Sequence, residues 1–115
     1  RGLFLQTLVY FSSSVQTAFQ QDYRPYRFAD TVEDEPGSKR RGQRRLMETL
    51  QVIDNQIDNK KWILGKNFSA ADIYLYMLTT WLEPLRGHPK LSNFPNVKRI
   101  AKQASTRSSI KLVYG

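Results

Sequence analysis

The segment Phe68-Ser69-Ala70-Ala71-Asp72-Ile73 carries a complete helix-start signal. The Ser69 hydroxyl is placed to accept a hydrogen bond from the backbone N–H of Asp72, and the Asp72 carboxylate to take the Ser69 N–H in return. Asp stands here for the commoner Glu or Gln of such a capping box, and its shorter arm suits the same geometry. Phe68 precedes the cap and Ile73 is the fourth helical residue, so the two supply a hydrophobic staple. A helix therefore starts at Ser69. Its body, Ile73 to Leu82, is apolar nearly all round, which predicts a central helix with neighbours on several sides, and Pro84 ends it. Phe68, Ser69, Asp72 and Ile73 are thus assigned to capping and folding rather than to catalysis.

Outward from this centre the pattern stays helical. In residues 3 to 23, Phe4, Leu8, Phe11, Val15, Ala18 and Phe19 recur at the spacing of an amphipathic helix. Pro25, Pro36, Gly37 and the acids among them read as a connecting loop. Leu46, Leu50, Ile53 and Ile57 then form an apolar stripe, predicting a second helix over residues 39 to about 60, with Gly42 weakening its first turn. Gly87-His88-Pro89 is loop chemistry, and His88 is expected to be an exposed loop residue. Pro95 stands where a first helical residue belongs, ahead of Val97, Ile100, Ala101 and Ala104. Ser105 or Thr106 is a candidate cap for a short last helix carrying Ile110 and Leu112. Strand alternation and repeats are absent from the sequence, so the fold class is all-α. Trp62 and Trp81 read as core or pocket wall.

With 115 residues the chain is a single domain, residues 1–115, able to bury roughly two-thirds of its unfolded surface. It has no cysteine and one histidine, which removes thiolate nucleophiles and sulfur metal sites and predicts no metal centre. The first residue is Arg1 and no export signal pattern follows it, so the expected location is cytoplasmic. The uncharged run from Gly2 to Gln21 is too rich in Gln, Ser and Thr to span a bilayer. Asn67-Phe68-Ser69 fits a glycosylation sequon but carries no weight without export.

The formal net charge is +8, which raises the question of an anionic partner. Asp22, Asp30, Glu33, Asp34 and Glu35 precede the basic run Lys39, Arg40, Arg41, Arg44 and Arg45. That run reads either as a solvated helix start or as a phosphate-binding stripe. No recognised nucleic-acid motif is present, and most aromatics sit at core spacing instead of alternating with arginine.

The first helix poses a second question. Drawn at about 100° per residue, it sets Phe4, Leu8, Phe11, Val15 and Phe19 against an opposite face of Tyr10, Ser13, Ser14 and Thr17. That face is polar yet uncharged, where a helix facing bulk water normally carries Lys, Glu or Arg. Either something covers it (another domain, a partner subunit or a small-molecule ligand) or it is a serine-rich solvent face.

Three stretches together resemble the C-terminal helical domain of bacterial cytosolic glutathione transferases. Leu64 to Leu75 is similar to that family's capping-box and staple segment. Tyr10 to Phe19, with Tyr23-Arg24-Pro25-Tyr26-Arg27-Phe28 after it, looks like the first helix of the domain and its exit. Phe94-Pro95-Asn96-Val97 and Arg107-Ser108-Ser109-Ile110 resemble the two closing helices, although the family usually has Pro where this chain has Ser108.

The resemblance implies an all-α bundle of about five helices. It also implies a thioredoxin-like N-terminal domain, outside these residues, which binds the co-substrate glutathione and activates its thiol. It implies a homodimer, and a pocket for a small hydrophobic electrophile lined by this domain, at Tyr10, Ser13, Ser14 and Thr17. No catalytic residue is assigned to this chain, and alone it is expected to be inactive. Gln16 and Thr17 stand where some bacterial members carry a His and a Lys. The same helical domain also serves as a non-catalytic interaction module in translation factors and synthetase-associated proteins, and an RNA-binding accessory domain is a third reading.

Overall fold

The computed structural model describes residues 2–107. The helices are α1 (Gly2–Tyr10), α2 (Gln16–Tyr23), α3 (Glu35–Ile57), α4 (Ala70–Thr80) and α5 (Pro95–Ser105). A π-helical segment, Phe11–Val15, joins α1 to α2 without a break, since the residues at both of its ends keep right-handed helical dihedrals. The first three segments are therefore one rod. Short 3₁₀ turns at Pro25–Arg27, Val32–Asp34, Pro84–Arg86 and Leu91–Asn93 make the corners. The described residues hold no strand, only an isolated bridge between Trp62 and Gly65. The all-α expectation holds. Ile110, Leu112 and Ser108 lie outside the described residues, and Ser105 belongs to the end of α5.

The apolar stripes meet in one core. Phe11, Val15, Ala18 and Phe19 from the first rod pack with Leu46, Leu50, Ile53 and Ile57 of α3, Leu75 and Leu78 of α4, and Val97, Ile100 and Ala104 of α5. Trp62 is part of this core at 6 % exposure. No helix among the described residues is long and apolar enough to cross a membrane. Arg40, Arg41, Arg44 and Arg45 stand exposed on α3, with Arg45 donating to Gln21 Oε1 at 2.9 Å.

Two helix boundaries differ from expectation. Helix α3 starts at Glu35, so Pro36 and Gly37, expected in a loop, form its first turn. A first-turn N–H has no helical acceptor, so proline loses nothing there, and its fixed φ favours the start. Helix α4 stops at Thr80 rather than reaching Leu82. Pro84 disfavours helical dihedrals at Glu83, which is extended, and the last turn ends ahead of it.

Two of the buried carboxylates fasten helix starts. At the head of α4 the Ser69 hydroxyl accepts from the Ala71 N–H at 3.2 Å, and the capping box with Asp72 is closed in both directions. Asp72 does more than cap. Its Oδ2 takes the Ser69 N–H at 2.9 Å, while Oδ1 takes the Ile63 N–H at 2.8 Å. One side chain thus joins α4 to the Trp62–Gly65 turn, which needs glycine at position 65 because φ there is +134°. The Phe68 ring meets Trp62 edge-on at 4.9 Å and lies under the Arg107 guanidinium at 3.9 Å. At α5 the cap comes from another helix. Asp54 Oδ1, on α3, accepts the N–H groups of Asn96 and Val97 at 2.8 and 2.9 Å, so that α5 is bound to α3 through its own unsatisfied donors.

Gly42 sits where α2 crosses α3. A β-carbon there would stand 2.9 Å from both the Asp22 backbone nitrogen and Gln21 Cβ, so the close approach of the helices requires glycine. Replacing Gly42 with Ala should therefore destabilise the fold by about 1–3 kcal/mol despite alanine's higher helix propensity; equal or greater stability in chemical denaturation would refute the close-packing account. Ser69→Ala should cost about 1 kcal/mol. Asp72→Ala should cost more, about 2–3 kcal/mol, because the buried Ile63 N–H also loses its acceptor. Equal losses from the two variants, in the same denaturation experiment, would mean that Asp72 is only a cap.

Candidate functional site

A hollow of about 540 Å³ opens between α2 and the end of α4. Helix α2 contributes Gln16, Phe19, Gln20 and Tyr23, with Arg24 at its exit, and the other wall is Thr80, Trp81 and Glu83. Its floor is aromatic. Phe19, at 2 % exposure, meets Trp81 edge-on at 5.5 Å and lies parallel to Tyr23 at 6.5 Å. The Tyr23 hydroxyl donates to Glu83 Oε2 at 3.1 Å and faces the Trp81 carbonyl at 3.4 Å, joining the two walls. Burial, then the hydrogen bond and negative charge of Glu83, push the Tyr23 phenol above its ordinary value, so it stays a donor. Gln16 Oε1 accepts from the Tyr74 hydroxyl, which leaves the amide N–H groups as the polar function it can offer a ligand.

The structure does not gather Tyr10, Ser13, Ser14 and Thr17 around one hollow. Tyr10 lies in a second groove of about 310 Å³, with Leu3, Thr7, Ile53 and Leu64 among its lining. Ser13 is exposed and donates to the Val9 carbonyl at 2.7 Å. Ser14 and Thr17 are half-buried and line neither hollow. The π segment parts Tyr10 from the residues of α2. A π turn takes in one more residue than an α turn, so everything beyond it is rotated by about 100° relative to a wheel drawn at uniform spacing. Within α2 itself Gln16 and Gln20 face the cleft, with Ser13 one turn before Gln16 and Thr17 beside it.

The wall at Glu83 is set by a buried cluster that sequence reasoning missed. His88, expected to be exposed, is only 4 % accessible. Its Nδ1 accepts the Glu83 N–H at 2.9 Å, which leaves the ring proton on Nε2, donated to Asp22 Oδ2 at 2.7 Å. Asp22, at the end of α2, is fully buried. It also takes Arg86 Nε at 2.7 Å on Oδ2 and Gln43 Nε2 at 2.9 Å on Oδ1. The Arg86 guanidinium in turn lies 4.2 Å over the Tyr23 ring. Burial by itself would raise the Asp22 carboxyl; hydrogen bonds from Arg86, Gln43 and His88, with the Arg86 charge, outweigh it and hold the group below the ordinary carboxylate value. One signal of this was present in the sequence: Asp22 follows Ala18 and Phe19 at i+4 and i+3, on the apolar face. The described residues contain no group of three or more potential metal ligands.

Because the folded state lowers the pKa of Asp22, its stabilisation is complete above the unfolded value and is lost as pH falls through the folded one. Asp22→Asn should lower stability by about 3 kcal/mol at neutral pH. The gap between variant and parent should close below about pH 4. A gap that stays constant in thermal melts down to acid pH would show that ionised Asp22 is not the stabilising species.

No curated protein matches this chain. Among solved structures, a glutathione transferase homologue from Sulfitobacter, determined with bound glutathione, superposes with a TM-score of 0.81 at 21 % identity. The superposition covers 94 % of this chain and 51 % of the other, so the present chain spans about half the length of that protein. At this identity the likeness establishes the fold. The model of the glutathione S-transferase C-terminal domain family matches residues 13–107, which include the capping box, the cleft and the Asp22 cluster. The chain accordingly belongs to the glutathione S-transferase C-terminal domain family.

Proposed function

We propose that this chain is the helical half of a glutathione-dependent transferase and that the cleft between α2 and α4 holds the second, electrophilic substrate. The observation that carries the reading is the cleft itself: an aromatic floor of Phe19, Tyr23 and Trp81 under amide groups from Gln16 and Gln20. Apolar walls with a few placed donors suit a small hydrophobic electrophile. The reaction is attack of a glutathione thiolate on that electrophile, which forms the carbon–sulfur bond and expels the leaving group. Glutathione and the thiol-activating group belong to an N-terminal thioredoxin-like domain, consistent with a chain that covers about half of its structural relative.

Within this chain the expected work is binding and orientation. With its Oε1 held by Tyr74, Gln16 presents N–H donors to a nitro, carbonyl or halide group of the electrophile. An amide has no proton to exchange near neutral pH, so Gln16 orients and does not act as acid or base. Ser13 and Thr17, flanking Gln16, are assigned to the lip of the cleft, with Ser14 next to Ser13 and Tyr10 in the separate groove beside α1. The exposed Leu3, Leu5 and Val9 of α1 are the surface we assign to the homodimer contact. The intact protein is read as a bacterial, cytoplasmic detoxification enzyme.

The test is steady-state turnover of the full gene product with glutathione and an aryl halide, alongside glutathione titration of the 115-residue chain alone. Trp81→Ala and Gln16→Ala should raise KM for the aryl halide about fivefold to tenfold while leaving KM for glutathione unchanged. The short chain should neither bind glutathione nor turn over. Failure of the full product to bind glutathione would favour a non-catalytic interaction module, and binding by the short chain would overturn the division of labour between domains.

A further inference from the structure

We propose that the cleft is selective for charge and takes aromatic ligands that carry a positive group, with Glu83 as the selecting residue. The proposal rests on the reading of the cleft as a ligand site and names the class of ligand it prefers. Glu83 is exposed at the cleft wall, and one carboxylate oxygen accepts the Tyr23 hydroxyl. Among the described residues no ion pair joins Glu83 to a basic group. The neighbouring guanidinium is already committed: Arg86 gives its Nε to Asp22 Oδ2 and a second nitrogen to the Asp22 carbonyl at 3.3 Å. The cleft thus presents a carboxylate without a counter-ion beside aromatic rings, the combination that binds organic cations. Tyr23 already shows the affinity of this corner for a cation, since Arg86 lies on its ring.

The carboxylate is also held in place. The His88 ring accepts the Glu83 N–H, and Asp22 fixes His88 and Arg86 together, so the main chain of Glu83 is fastened to the buried cluster. A positioned acid loses less freedom on binding than a free surface side chain. The opposing charge in the cleft is Arg24, exposed at the end of α2. The two charges give the selection a direction that can be measured, because an anionic ligand would be drawn to Arg24 and repelled by Glu83.

The experiment compares three probes of one shape at neutral pH: N-methylquinolinium, quinoline and a quinoline carboxylate. Binding to this chain is followed by the indole N–H resonance of Trp81, with that of buried Trp62 as internal reference. The cation should bind about fivefold to tenfold tighter than quinoline, and the anion weakest. Glu83→Gln keeps an acceptor for Tyr23 and should bring the affinity for the cation down to that for quinoline. Arg24→Gln should strengthen the cation further. Equal affinities, tightest binding of the anion, or a preference that survives Glu83→Gln would each overturn the proposal, as would the absence of any shift at Trp81. Glutathione-dependent turnover of the full product is measured separately, so loss of charge selection and failure of the transferase reading give different results.

Discussion

A single buried carboxylate, Asp22, holds the corner on which the rest of the molecule is assembled. It has no access to solvent, and its two oxygens take donors from α3, from the 3₁₀ turn after α4 and from the loop beyond it. A charge in that position is tolerable only with partners on every side, because desolvation without them costs more than burial of the surrounding apolar surface returns. The arrangement therefore admits little variation. Gln43 must reach across from α3, Arg86 must lie back over Tyr23, and Gly42 must let α2 and α3 touch.

Asp54 and Asp72 apply the same principle at the other joints. Each is buried, and each accepts backbone N–H groups that a helix start or a tight turn leaves without partners. Apolar contacts among leucines and isoleucines reward collapse without fixing which helix end meets which neighbour. Directional bonds to the three acids supply that information. The different partners also explain a difference in acidity. Asp22 is bound by a guanidinium and is pushed down; burial pushes Asp72 up, against neutral N–H donors and the Arg107 charge.

What could be read from the sequence divides along the range of the interaction. The capping box at Ser69 and Asp72, proline at the start of α5 and the α3 stripe of Leu46, Leu50, Ile53 and Ile57 are local patterns, and each appears in the structure as expected. The cleft was only partly legible, because the side of α2 that lines it is decided by Trp81 and Glu83, which lie 58 and 60 positions further along the chain than Tyr23. His88 misleads for a related reason. Flanking Gly and Pro describe a loop correctly, but burial of a loop residue depends on a partner 66 positions away in the chain. Pro36 and Gly37 look like a loop for want of the one fact that decides them, namely that a first helical turn needs no proline N–H.

The π segment also divides the first rod into two parts with unequal obligations. Helix α2 buries Ala18, Phe19, Gln21 and Asp22, whereas α1 buries nothing completely. Loss of one residue between them would restore ordinary helical pitch, and the resulting turn would be absorbed by the part with fewer ties. The cleft and the Asp22 corner would stay where they are, while α1 would swing a different set of side chains outward. A one-residue change in length at this point is thus a dial that resets the outer face of the domain independently of its interior, a route by which relatives of one fold can acquire new neighbours while keeping an old pocket.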